Sequence, residues 1–257
     1  MKLKNKIALI TGATSGIGKA CAEFLAAEGC NLIITGRRGD RLEELGQALT
    51  LTHPIKTKTL RFDVRDREAT HAAIGSLDSA WQQVDILINN AGLALGLAGI
   101  HDGDPEDWDT MMDTNVKGIL NVTRPVSQTM INQGHGHIVN IGSVAGREVY
   151  PKGNVYCASK HAVAALSKGM RIDLLQHGIK VSLVSPGHVN TEFAEVRFKG
   201  DRETAQQVYK GFQPLRPEDI AETVLFILTR PAHVNIDDML IMATSQANTY
   251  LINRGED

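Results

Sequence analysis

Tyr156 and Lys160 stand four residues apart, and Ser143 precedes the tyrosine by thirteen. On a helix, a spacing of four puts both side chains on one face, within reach of each other. Moving a tyrosine pKa from about 10 toward 7 takes roughly 4 kcal/mol, and a nearby ammonium in a partly dry cleft is a source of much of it. Tyr156 could then exchange a proton with a substrate oxygen near neutral pH, while Ser143 hydrogen-bonds that oxygen and holds it. A Tyr-x-x-x-Lys pair alone is a common surface contact, so the surrounding chain must carry the case.

A second cluster suits anions. Thr11-Gly12-Ala13-Thr14-Ser15-Gly16-Ile17-Gly18-Lys19 follows a β-branched run and opens an amphipathic one. Gly12 can make the tight turn, Gly16 can let backbone approach a pyrophosphate, and Gly18 lets the helix pack closely on the strand. The free amides at the helix start, over Thr14, Ser15 and Ile17, would face the anion. The spacing is G-x-x-x-G-x-G, which differs from the generic G-x-G-x-x-G. At the end of the second strand an NAD site offers Asp or Glu to the ribose 2′-hydroxyl, whereas this chain reads Thr35-Gly36-Arg37-Arg38. Two guanidiniums suit a 2′-phosphate, and without an anion they would oppose the dipole of the helix they begin. The expected cofactor is NADP.

These residues need elements to position them. Short β-branched runs alternate with longer amphipathic segments, which predicts an α/β fold with a parallel sheet and helices on both faces. Strands are predicted over 7–11, 31–35, 57–62, 85–89, 137–141, 180–185 and near 239–242, and helices over 17–28, 41–49, 67–81, 106–132, 155–177 and 218–229. No repeat or Pro/Ser-rich linker divides the chain, so 1–257 is expected to form one domain. The stretch 187–213 breaks the alternation after a late strand and is expected to cover the crevice as a lid.

Composition removes other classes. The 257 residues are 42% hydrophobic and 22% charged with a net charge of -2, which does not suit a nucleic-acid binder. Three cysteines, Cys21, Cys30 and Cys157, form no pairable framework, and a reducing compartment fits them. The apolar run near the start ends after four residues, and none is long enough to cross a bilayer, so no export signal or membrane partner is expected and the cytoplasm is the expected location. The nine histidines include no zinc spacing, and no metal is expected. Ser143 lacks the second glycine of a nucleophile elbow, and Trp81 and Trp108 read as anchors to the core or a subunit contact.

The glycine turn, Asn89-Asn90-Ala91-Gly92, Asn115, Ser143, Tyr156 with Lys160, and Pro186-Gly187, in this order, resemble the short-chain dehydrogenase/reductase family over roughly residues 6–242. The resemblance implies a single Rossmann-type domain, doubly wound around a seven-stranded parallel sheet. It maps a catalytic tetrad onto Asn115, Ser143, Tyr156 and Lys160. Tyr156 would be the acid/base and Ser143 would orient the substrate. Lys160 would lower the tyrosine pKa and bind the nicotinamide ribose, and Asn115 would hold a relay water. Asp63 and Val64 would contact adenine, and Asn90, Ala91 and Gly92 would lie near the adenosine ribose. Pro186, Gly187, Val189 and Thr191 would border the nicotinamide carboxamide. Members that prefer NADP often carry a basic residue just before the second glycine, where this chain has Ser15. The NADP expectation therefore rests on Arg37 and Arg38.

A narrower similarity runs through Asn89–Gly96, Glu106-Asp107-Trp108, Gly153–Tyr156, Thr191-Glu192-Phe193, Val196–Asp201 and Pro231–Ile236. These segments resemble NADP-dependent 3-hydroxy acid dehydrogenases, including serine and allo-threonine dehydrogenases, and imply a small 3-hydroxy or 3-oxo acid as substrate. A carboxylate needs a cation near Tyr156, and Arg147, Lys152, Arg197, Lys199 and Arg202 are available. Arg147, four residues after Ser143, is the first choice. A bulkier ketone, such as a 3-oxoacyl thioester, a diketone or a sugar-like carbonyl, is the alternative substrate, and a non-catalytic NADP sensor is the alternative of another class. The resemblance also implies a homo-oligomer, tetramer before dimer, built on the helices over 106–132 and 155–177.

Overall fold

The central strands of the sheet are apolar because they are covered on both sides, while the two edge strands, over 57–61 and 238–241, are partly exposed. The computed structural model describes residues 1–255. Its strands are β1 (Ile7–Ile10), β2 (Asn31–Gly36), β3 (Thr57–Arg61), β4 (Ile86–Asn89), β5 (Gly136–Ile141), β6 (Ile179–Pro186) and β7 (Asp238–Ile241). They form one parallel sheet in the order β3-β2-β1-β4-β5-β6-β7. Ile10, Ile34 and Ile88 point into an apolar layer on one face, and Leu9, Ile33 and Leu87 into a second layer on the other. Strand order reverses between β1 and β4, and ligands of such sheets bind beyond the carboxyl ends of the strands at that switch point.

The helices are α1 (Gly16–Ala27), α2 (Gly39–Thr52), α3 (Arg67–Gly75), α4 (Pro105–Met112), α5 (Gly118–Gln133), α6 (Asn154–Leu174), α7 (Phe193–Arg197), α8 (Arg202–Gln207) and α9 (Pro217–Leu228). Three differ from the sequence expectation. The helix predicted over 67–81 stops at Gly75, where Ser76 bonds back to the Ala73 carbonyl and Asp78 holds the following turn through the Ala80 amide. The helix predicted over 106–132 is α4 and α5 joined by a π-helical turn, Asp113–Lys117. Within 187–213 lie α7 and α8, five and six residues long, too short to show a period. Among the described residues no helix is long and apolar enough to cross a membrane.

Candidate active site

The glycine turn leaves β1 and is held open by its neighbours. Thr11 Oγ1 accepts from the amides of Asn90 and Ala91 at 2.9 and 3.0 Å, and Asn90 Nδ2 donates to the carbonyls of Thr11 and Gly12. The loops after β1 and β4 are thereby locked together. Gly12 and Gly16 have φ of 66° and 52°, in the left-handed region that glycine favours. A Cβ on Gly18 would collide with Asn90 Nδ2 and the Gly12 carbonyl, so Gly18 sits behind the cleft and sets how closely α1 docks. The cap of α1, Ser15, makes no side-chain bond to the helix, and no acidic residue occupies its first turn. Its open amides give the positive end of a helix to the cleft.

That cleft encloses about 320 Å³ along the carboxyl edge of the sheet, within the range of small-molecule sites. Thr14, Ser15, Ile17, Arg37 and Arg38 line one end, and Asp63 and Val64 border it. Arg38 donates to Thr14 Oγ1 and Ser15 Oγ. Burial pushes the Asp63 carboxyl up, but its bonds with Arg65, helped by the Arg37 charge, bring the net value below the usual range. Asn90, Ala91 and Gly92 form the middle, and Ser143, Tyr156, Lys160, Pro186, Gly187, Val189 and Thr191 the far end.

The far end is assembled around the end of β5, α6 and the π-helical turn. Ser143 lies two residues beyond β5, and its Oγ accepts the Ala145 amide at 3.1 Å. Tyr156 and Lys160 share the buried face of α6, at 9% and 7% exposure. Lys160 Nζ donates to the Ile141 carbonyl at 3.0 Å, and burial lowers its pKa to about 8. Burial raises the Tyr156 hydroxyl, and the Ser143 hydroxyl and the Arg197 guanidinium pull against it. Asn115 sits in the π-helical turn, a device frequent at functional sites. Its Oδ1 accepts the Leu93 amide, and its Nδ2 donates to the Leu93 carbonyl and Ser159 Oγ. The side chain does not line the cleft, but ties the loop after β4 to α6.

Arg147 is not brought to the site. It follows a 3₁₀ turn that carries it away from Ser143, and it pairs with Asp238 at the start of β7, 2.5 Å away. Arg197 stands in its place. Its guanidinium carbon is 5.8 Å from the Tyr156 ring centroid and 5.4 Å from that of Tyr150, while Nε donates to the Gly96 carbonyl. Arg197 has no carboxylate partner among the described residues, whereas Lys199 pairs with Asp104 and Asp107 and Arg202 with Glu195. A second cavity of about 160 Å³ shares Tyr156 with the main cleft and is lined also by Arg197, Trp108 and Asn154. The Tyr150 ring packs against the Arg197 guanidinium, and its buried hydroxyl has no hydrogen bond of normal geometry among the described residues.

Several contributors had no local signal in the sequence. Phe193 lies against Tyr156 at 5.7 Å, Glu192 pairs with Arg38 and Arg41, and Gln246 Oε1 accepts the His188 amide beside Gly187. Glu192 and Phe193 were marked by the Thr191-Glu192-Phe193 similarity and by their place in the expected lid. Among the described residues no group of His, Cys, Asp or Glu is placed to hold a metal.

The donor set fits a dinucleotide: a cradle that a Cβ would fill, open helix amides, guanidiniums at one end and a buried ammonium at the other. A cleft with open helix amides and guanidiniums at one end and a buried tyrosine and lysine at the other suits a nucleotide-dependent oxidoreductase. Residues 6–202 match the short chain dehydrogenase family, and the chain belongs to it. It is 46% identical to sulfoacetaldehyde reductase 2 of Chromohalobacter salexigens over 96% of this chain and 98% of that one. It is 44% identical to the NADP-dependent 3-hydroxy acid dehydrogenase of Escherichia coli K12, over 94% and 96%. The closed form of a serine dehydrogenase complexed with NADP+ superposes with a TM-score of 0.90 at 43% identity, covering 97% of this chain and all of that one.

Proposed function

We propose that the protein is an NADP-dependent oxidoreductase interconverting a small 3-hydroxy acid and its 3-oxo acid, of the serine or malonic semialdehyde type. The bound cofactor supplies or accepts the hydride. Tyr156 gives its hydroxyl proton to the carbonyl oxygen as it becomes a carbinol and takes one back in the other direction. Ser143 holds that oxygen. Lys160, desolvated and already donating to the Ile141 carbonyl, would hold the nicotinamide ribose. Arg37 and Arg38 read the 2′-phosphate, and changing both to Ala should weaken NADP more than NAD. Equal losses would remove that role.

The observation that carries the substrate class is Arg197, a half-buried guanidinium over the Tyr156 ring with no carboxylate of its own among the described residues. Sulfoacetaldehyde and 3-oxo acids share one feature, an anionic group on the carbon next to the carbonyl carbon. A substrate reacting at Tyr156 would present that anion to Arg197 and to the Tyr150 hydroxyl. Whether the anion is a carboxylate or a sulfonate is a choice between two substrates of one site, and the 46% identical reductase favours testing both.

The deciding measurement is the initial rate of NADP reduction with 3-hydroxypropionate and L-serine beside a neutral secondary alcohol, and of NADPH oxidation with malonic semialdehyde and sulfoacetaldehyde. Preference for the anions supports the reading. Faster turnover of neutral or bulkier ketones discards it, and no turnover on any carbonyl favours a sensor. Arg197→Met should lower kcat/KM for the anions about 10- to 100-fold, the worth of a charge-assisted hydrogen bond, and spare the neutral alcohol.

Residues 187–213 act in this reading as the lid, with α7 over Tyr156. The protein works in the cytoplasm, where its three free, buried cysteines stay reduced, and as a homo-oligomer, tetramer before dimer, joined through α4–α5 and α6.

A further inference from the structure

The helix that sets Arg197 over Tyr156 is tied at its other end to the arginines of the adenosine site. Glu192, just before α7, accepts from Nη1 of Arg38 and Nη1 of Arg41, each at 2.7 Å, across 154 and 151 residues of chain. Arg38 gives its other donors to Thr14 Oγ1 and Ser15 Oγ. All three nitrogens of its guanidinium are therefore engaged, and its charged partner is a carboxylate from the lid.

This partner is poorly matched to a site for a phosphate. The Arg38, Arg41 and Glu192 side chains are 42%, 47% and 42% exposed, and ion pairs in water are weakly held. A phosphate monoester carries nearly two charges and three acceptor oxygens, so it competes strongly for the same nitrogens. Were Glu192 to stay, two anions would face each other over one guanidinium.

We propose that Glu192 occupies Arg38 and Arg41 as a stand-in for the 2′-phosphate of NADP and yields them when that phosphate arrives. Discrimination between NADP and NAD is then an exchange of anions, and NAD, lacking the phosphate, leaves Glu192 in place. The inference rests on the NADP reading above, so its test uses adenosine fragments that isolate that end from the chemistry.

Binding of 2′,5′-ADP and 5′-AMP to the full chain is measured by calorimetry for wild type, Glu192→Gln and Glu192→Ala. Removal of one like charge should tighten 2′,5′-ADP about three- to tenfold in both variants and change 5′-AMP less than about twofold. Unchanged 2′,5′-ADP affinity would make the ion pairs bystanders, and weaker binding would make Glu192 a support for Arg38. Either result overturns the exchange. A wild type that binds both fragments equally overturns the NADP reading beneath it.

Discussion

Tyr156 lies between Phe193 and Arg197, in a site whose burial disfavours its charged form. Replacing it with Phe removes the proton donor and leaves the packing, so kcat should fall about a thousandfold while NADPH affinity stays within about twofold. Stopped-flow turnover and a binding titration check this pair, and retained turnover would remove Tyr156 from the chemistry. Lys160 offers a pH test. Its ordinary value of 10.5 falls to about 8 on burial, so between those values the unfolded chain binds more protons than the native one. Native stability from this group is therefore lowest below pH 8 and recovers as pH rises toward 10.5. Relative to Lys160→Met, the wild type without cofactor should gain about 3 kcal/mol from pH 7 to 10.5, read from urea midpoints. A constant gap would mean that Lys160 titrates normally. Ser143, Tyr156 and Lys160 were legible because their spacing is local. Arg197 was one of five loop cations, and nearness to Ser143 along the chain favoured Arg147. The 3₁₀ turn after Ser143 reverses that ranking by sending Arg147 to Asp238.

At the scale of elements, the docking of α1 decides where the pyrophosphate end sits. Gly18→Ala puts a methyl group into the Gly12 carbonyl and Asn90, and overpacking of this kind costs about 1–3 kcal/mol. The variant should unfold at lower urea and bind NADPH more weakly, because relief requires α1 to move off the turn. Normal NADPH affinity would show that the cradle does not depend on the docking distance. The central strands were legible to within about two residues because each is a short apolar run, and a run of four to eight flanked by turn residues has few other readings. The π-helical turn left no comparable mark. A wider turn keeps the same apolar face on either side of Asn115, so the stretch over 106–132 reads as one helix although it folds as α4, a wide turn and α5. The early stop of α3 was similarly hidden, since Ile74, Leu77 and Trp81 stay apolar and buried after the helical bonds end.

For the whole molecule, oligomer formation is the expectation with the simplest measurement. Light scattering should give two or four times 27.9 kDa, and a monomer mass would discard the α4–α5 and α6 interface. Glu192 with Arg38, and Gln246 with His188, join positions too distant for any pattern of spacing to connect. The first pair follows from a topology that folds the second half of the chain back beside the first. The strand order has a further effect during synthesis. β1 is fully buried and apolar, yet its neighbour β4 begins 76 residues after Ile10. At about 5–20 residues per second, one edge of β1 waits roughly 4–15 seconds on the ribosome for its partner. During that interval a nascent chain carries an uncovered strand edge, which invites pairing with other chains. Yield of folded protein should therefore respond to chaperone supply more strongly than the stability of the finished enzyme suggests.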